Sequence, residues 1–299
     1  MRPRTSLSTT LPDGGHLARA IHVRQGVGVA AHVLQGRELE ILRIRVEQPA
    51  LILVDRGIKT VRAERGVCVR ALPGQAIILD ANQTVDFTNS VTNGTHYEAR
   101  WLLFDSALLD EVYYLDRAAQ AATHDESPAR LLSHVDENLA IAFESARQAL
   151  APNARIPDAV ARQRMLEVMH WLLEEGIVLP NAPAHPGVSV KVRMLVAGRL
   201  DGNWTAGRVA GELALSEATL RRRLAAEKTS LTELLTDARM ATALTLLQAT
   251  TQPVSDIALS IGYESPSRFA VRFRQRFGFA PTAVRGHERA DNPTTTPIP

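Results

Sequence analysis

Gly262-Tyr-Glu-Ser-Pro-Ser-Arg-Phe-Ala-Val-Arg-Phe-Arg-Gln-Arg-Phe-Gly278 is the stretch whose reading decides the fold of the C-terminal third. Phe269, Phe273 and Phe277 recur every four residues, which on a helix makes one apolar stripe. Arg268, Arg272 and Arg276 keep the same spacing one residue earlier and so occupy an adjacent face. Ser265 or Ser267 can cap the helix, and Pro266 suits its first turn. An aromatic anchor beside a guanidinium stripe suits a helix lying in a DNA groove. Arginine neutralises phosphate there and can bond guanine O6 and N7 together.

Working outward, Val254 to Ile261 reads as a preceding helix with Ile257, Ala258 and Ile261 inward. Gly262 ends it, as the residue that most readily turns left-handed. A similar helix–turn–helix unit lies earlier in the chain. Thr205 caps a helix running to about Leu213, with Val209, Ala210 and Leu213 inward, and Ala214-Leu215 is the turn. Ser216 caps the next helix with Glu217 at its positive end, and Leu220 and Leu224 face the core. Arg221, Arg222 and Arg223 are consecutive and cannot all be buried. Leu231 to about Gln248 reads as one connecting helix. At about 1.5 Å per residue it spans roughly 27 Å. Successive major-groove segments on one face of DNA lie about 34 Å apart. A stiff connector of that length can hold two recognition helices near successive turns.

Charge agrees. Residues 190–290 carry 15 Lys+Arg against 9 Asp+Glu, whereas the remainder carries 19 against 23. A basic third on a mildly acidic body points to a polyanionic partner.

The N-terminal part reads as β. Short Val-, Ile- and Thr-rich runs at 27–34, 39–46, 50–54, 59–63, 67–71, 76–79, 84–88 and 95–104 alternate with turn signals, among them Pro73-Gly74 and Asn93-Gly94. Many short strands at close spacing predict a barrel or sandwich. From Ser106 the period changes to a helical one. Leu108, Leu109, Val112 and Leu115 make one predicted face. Leu131, Leu132, Val135, Leu139, Ala142 and Phe143 make a second, and Val160, Met165, Val168, Met169 and Leu172 a third. These helices either cover the β-domain or form a homodimer interface. Pro180, Pro183 and Pro186 mark an interdomain linker, and the end of the chain is expected to be disordered.

The expected organisation is therefore α+β: a β domain over 1–105, a helical segment over 106–176, a Pro-rich linker over 177–189, an all-α double helix-turn-helix domain over 190–286, and a tail over 287–299. No apolar run is long enough for a membrane span, and the N-terminus lacks a signal-peptide pattern. One cysteine, Cys68, excludes an internal disulfide and is expected to be a small buried residue. These features fit a cytoplasmic protein.

Residues 203–285 resemble the DNA-binding domain of the AraC/XylS family of bacterial transcription regulators. The 262–278 run with Pro281 and Arg285, the connector residues Arg239, Ala243, Leu246 and Leu247, and Val209-Ala210, Leu213, Leu215-Ser216, Leu220 and Arg222 carry the likeness. Thr229 departs from it, where the family often has glycine. By this resemblance Ala218, Arg221 and Arg222 occupy base-reading positions of the first unit. Pro266, Ser267, Arg268 and Val271 occupy those of the second, with Arg272 binding base or phosphate. Double-stranded DNA is the implied partner, with RNA polymerase contacted during activation. The β region resembles the cupin-like sensor of many members, which implies control by a small-molecule effector or a regulatory protein. No cofactor is implied. The His-x-His pair of metal-binding cupins does not occur among His16, His22, His32 and His96, so no metal site is expected.

An enzyme would need a catalytic set. Ser133-His134 with Asp136, and His124-Asp125, are the local groupings, and adjacent helical residues diverge. An RNA reader would expose aromatics for stacking, whereas here they occupy the predicted buried face.

Overall fold

The computed structural model describes residues 19–63, 66–92, 96–120, 127–180 and 186–285. His16, His124, Asp125, Asn93-Gly94, Pro183 and the tail lie outside these residues. The N-terminal part is built from β1 (Ala20–Arg24), β2 (Gly28–Gln35), β3 (Leu39–Val46), β4 (Ala50–Arg56), β5 (Ile58–Arg62), β6 (Cys68–Ala71), β7 (Ala76–Leu79), β8 (Gln83–Ser90), β9 (Tyr97–Phe104) and β10 (Ala129–Leu132). They pair as two sheets rather than one closed barrel. One has the order β1-β2-β9-β4-β7-β10 and the other β3-β8-β5-β6, all antiparallel. The sheets meet through side chains. Ala31, Val33, Val61, Ile77, Phe87 and Tyr97 face inward. The opposite face of the larger sheet, including Ala30, Leu51, Ile78, Leu102 and Phe104, packs under the helices. Burial on both faces explains why residues 50–54 read Ala-Leu-Ile-Leu-Val without alternation. In β6 the alternation is kept: Val69 and Ala71 point inward and Cys68 outward. Cys68 is thus exposed, against expectation.

The helices α1 (Ser106–Leu109), α2 (Val112–Gln120), α3 (Glu137–Leu150) and α4 (Asp158–Glu174) cover that outer face. Two predicted stripes are corrected. The first breaks at Asp110, the C-cap of α1, so Val112 and Leu115 turn to solvent while Tyr114 and Ala118 are buried. In the second, residues 129–132 extend the sheet as β10 beside β7, and Asp136 starts the helix only afterwards. The Asp136 carboxylate accepts from Asn138 N–H at 2.8 Å, which holds it below the usual carboxylate range. In the third stripe Met165, Val168, Met169 and Leu172 are buried and Val160 is exposed. Ile177 and Leu179, at the start of the Pro-rich segment, pack on these helices. The Leu179 N–H donates to the Tyr114 hydroxyl at 2.9 Å, and burial pushes that phenol up to about 12.

The C-terminal part comprises α5 (Val188–Val196), α6 (Ala206–Glu212), α7 (Glu217–Ala226), α8 (Leu231–Ala249), α9 (Val254–Ser260), α10 (Pro266–Phe277) and a closing 3-10 turn, Pro281–Arg285. One core gathers Val192, Val196, Trp204, Val209, Ala210, Leu220, Leu224 and Leu234. The other gathers Met240, Ala243, Leu247, Ile257, Ala258, Ile261 and the three phenylalanines, and it is continuous with the interior of the β-sandwich. The end of α8 packs against β1 and β2, with Gln248 Nε2 donating to Gln35 Oε1 at 2.9 Å. Among the described residues no helix is long and apolar enough to cross a membrane.

Candidate nucleic-acid interface

Each recognition helix is set by a hydroxyl cap. Thr205 Oγ1 accepts from Arg208 N–H at 3.2 Å and starts α6, and Ser216 Oγ accepts from Thr219 N–H at 3.2 Å and starts α7. Ala214 takes a left-handed φ of 53° in the turn between them. In the second unit Gly262, at φ 87°, ends the first helix, and Ser265, not Ser267, caps α10 through Arg268 N–H. Gly278 closes α10 at φ 81°. Such caps satisfy orphan backbone groups at helix ends.

The caps fix which faces turn outward. In α7, Leu220 and Leu224 are buried, while Ala218, Arg221, Arg222 and Arg223 are exposed. Arg221 pairs with Glu217 at 3.1 Å one turn back. In α10, Phe269, Phe273 and Phe277 are buried and stack in sequence, with ring centroids 5.5 Å and 4.6 Å apart. Pro266, Ser267, Arg268, Val271, Arg272 and Arg274 are exposed. Arg276, third in the predicted stripe, behaves differently. Its guanidinium donates to the carbonyls of Leu42 at 2.9 Å and Arg43 at 2.6 Å on β3, and lies 3.4 Å from Asp237 of α8. Beside it Arg193 of α5 pairs with Glu47 at 3.2 Å. The outward cationic face of α10 is therefore Arg268, Arg272 and Arg274.

Arg239 joins the two units. Its Nε donates to the Leu200 carbonyl at 3.1 Å, behind α5, and its guanidinium lies 5.9 Å from the Tyr263 ring centroid. Gly262 sits against the same carbonyl, where a Cβ would come within 2.8 Å. Arg285 closes the far end of α8, donating to the carbonyls of Leu247, Thr250 and Gln252 at 3.2, 2.8 and 2.6 Å. At the start of the domain Glu227 accepts from the N–H groups of Val188 at 2.7 Å and Ser189 at 3.0 Å. Burial pushes that carboxylate up, and these bonds outweigh it and hold it low.

The β-sandwich carries polar groupings that sequence reading missed, because their members come from separate strands. His32 (β2), Asp55 (β4) and Glu98 (β9) converge within 4.8 Å of one another. His32 Nε2 lies 2.9 Å from Glu98, while Arg100 takes Asp55 with two bonds of 2.9 and 2.7 Å. Arg100 thus neutralises one carboxylate of this set. Between the sheets Lys59 is wholly buried.

The geometry is that of a tandem helix-turn-helix DNA-binding protein carried on a β-sandwich. Residues 209–287 match a family model described as a helix-turn-helix domain. The transcriptional regulator GadX of Escherichia coli O127:H6 is 26% identical over 185 residues, which cover 61% of this chain and 68% of GadX. The transcriptional regulator SirC of Salmonella typhimurium is 36% identical over 91 residues, 30% of this chain and 31% of SirC. ToxT of Vibrio cholerae has the same fold at 14% identity and a TM-score of 0.59, covering 86% of this chain and 97% of ToxT. Another ToxT structure, with a TM-score of 0.53, is described as bound to an unsaturated fatty acid. These likenesses support a regulator of the AraC/XylS type, with the helix-turn-helix match confined to residues 209–287.

Proposed function

We propose that this chain is a sequence-specific regulator, an activator, in which α7 and α10 enter successive major-groove segments of one duplex. The observation that carries the reading is the sorting of α10. Its aromatic stripe is wholly internal, and Arg268 and Arg272 are exposed beside it, with no ion pair among the described residues. A helix needing only stability would gain nothing from unpaired cations there. Ala218, Arg221, Arg222, Ser267 and Val271 complete the contact set. Readout by hydrogen bonds falls mainly to the first unit, because Ala218 and Val271 lack polar side chains.

The sandwich acts as the sensor, and its two facing sheets fit a cupin-like double-sheet architecture. The fatty acid bound by one ToxT structure favours a small-molecule effector over a regulatory protein. An effector shifts DNA affinity only by favouring one arrangement of sandwich and reader. The contacts of α8 with β1 and β2, and of Arg276 with β3, are what it would alter. RNA polymerase contact, homodimer formation through the helical segment, a cytoplasmic site of action and a non-enzymatic role belong to the same reading.

The test is titration of the full chain with duplex DNA over a range of salt. The logarithm of affinity should fall linearly with the logarithm of salt. Arg268→Ala should reduce that slope by about 1 if Arg268 holds a phosphate. Salt-insensitive binding would rule the reading out.

A further inference from the structure

Three neighbouring strands of the larger sheet, β2, β9 and β4, bring His32, Glu98 and Asp55 together, beside Glu144 of α3. Glu98 is 6% exposed. Its partners among the described residues are imidazoles rather than a fixed cation. His32 Nε2 lies 2.9 Å from Oε1, and His96 Nε2 lies 3.4 Å from Oε2. The His96 Nε2 is itself buried and makes no hydrogen bond among the described residues. A buried carboxylate facing neutral rings is costly, and a cation beside it offsets that cost. Asp55 differs, because Arg100 holds both of its oxygens, at 2.9 and 2.7 Å. Each of those oxygens keeps a second lone pair. Carboxylates that ligate metals are usually fixed by outer donors of this kind.

One ligand atom from each of His32, Asp55 and Glu98 lies within 4.8 Å of the others. Zinc takes imidazole nitrogen and carboxylate oxygen at about 2.0–2.2 Å, which sets such atoms roughly 3–3.5 Å apart. A contraction of roughly an ångström therefore closes the set around one ion. An imidazole among carboxylates selects a first-row transition ion over calcium or magnesium, which prefer oxygen throughout. Asp55 keeps 26% of its side chain in contact with solvent, so an ion can enter. We propose that His32, Asp55 and Glu98 bind one divalent transition-metal ion, with Arg100 and His96 orienting the two carboxylates from outside. Three protein ligands leave a further position open to water. The site revises the expectation drawn from the missing His-x-His pair. Its ligands come from three strands, so no local motif announces them.

The test is titration of the chelator-treated full chain with zinc, followed by calorimetry and equilibrium dialysis. One ion per chain should bind at this site. Glu98→Gln keeps the shape of the side chain and should weaken binding more than about tenfold, as should His32→Gln. Arg100→Leu, outside the ligand set, should weaken it about tenfold. His134→Gln and His170→Gln, on other elements, should leave it unchanged. Cobalt(II) in place of zinc should gain visible absorption bands that Glu98→Gln removes. Zinc should raise the Tm of the natural chain and not that of Glu98→Gln. In the unsubstituted chain the His32 imidazole NMR signals should shift on addition of one equivalent. Unmoved His32 signals overturn the site whether or not the variants fold. Zinc bound equally well by the His32 and Glu98 variants makes it an adventitious ion only and overturns the site too. Neither failure touches duplex binding, so each is distinct from failure of the DNA-binding reading.

Discussion

Gly262 shows how one residue ties two units together. Its φ of 87° and the 2.8 Å approach of a would-be Cβ to the Leu200 carbonyl leave no room for a side chain. Gly262→Ala should lower stability by about 1–2 kcal/mol, as seen by thermal unfolding. Phe273 carries a different load. It is fully buried against Phe269, Phe277 and Phe279. Phe273→Ala should cost about 3–5 kcal/mol. Arg222 is exposed and should leave stability unchanged on replacement by alanine. Arg222→Ala should cost about 1–3 kcal/mol of DNA affinity and relax preference at one base pair. Uniform weakening across sequences would make Arg222 a phosphate contact. Lys59 gives a pH signature. Its folded value of about 7 lies below that of an unfolded lysine, so between these values the unfolded chain holds the extra proton. Stability from this residue therefore rises from about pH 7 toward about pH 10. It is lost as pH falls through 7. The difference in Tm between the natural chain and Lys59→Met should follow that trend, and a flat difference would contradict the burial argument.

At the scale of elements, the caps and periodicities of the C-terminal third were legible. Thr205, Ser216, Ser265 and Gly262 act at the ends where their chemistry placed them. Local hydrogen bonds and a 3.6-residue repeat dominate there, and both are written in neighbouring residues. The strands were legible by run and turn. β1 was missed because Ala20–Arg24 is only half-buried and mixed in character, and β10 because Arg130 lies within an apolar pair. Arg130 is buried there by pairing with Asp80, far away in sequence. Long-range pairing also made the His32, Asp55 and Glu98 cluster and the burial of Lys59 invisible, since strand order is not a local property. The clasp between α10 and β3 was equally hidden. Arg276 belongs to the arginine stripe by spacing, yet Leu42, Arg43 and Asp237 hold it. Asp237→Ala should loosen that clasp and raise duplex affinity by about 0.5–1 kcal/mol. Unchanged affinity would show that the clasp does not restrain the reader.

At the scale of the molecule, one apolar core runs from the sandwich interior into the second helix-turn-helix unit. The sandwich and the second helix-turn-helix unit are packed together, so under the proposed reading a signal must alter this contact to be felt at the DNA. The connector α8 is 19 residues long, about 28 Å at the usual rise. That length, and Arg239 bridging Leu200 and Tyr263, set the separation of the two recognition helices. Selection of bound sites from random duplexes by the full chain measures this separation directly. The recovered sites should share two short sequence blocks with centres about 10 base pairs apart, one helical turn. A single block, two blocks at varied spacing, or no enrichment over bulk duplex would contradict a fixed two-helix reader.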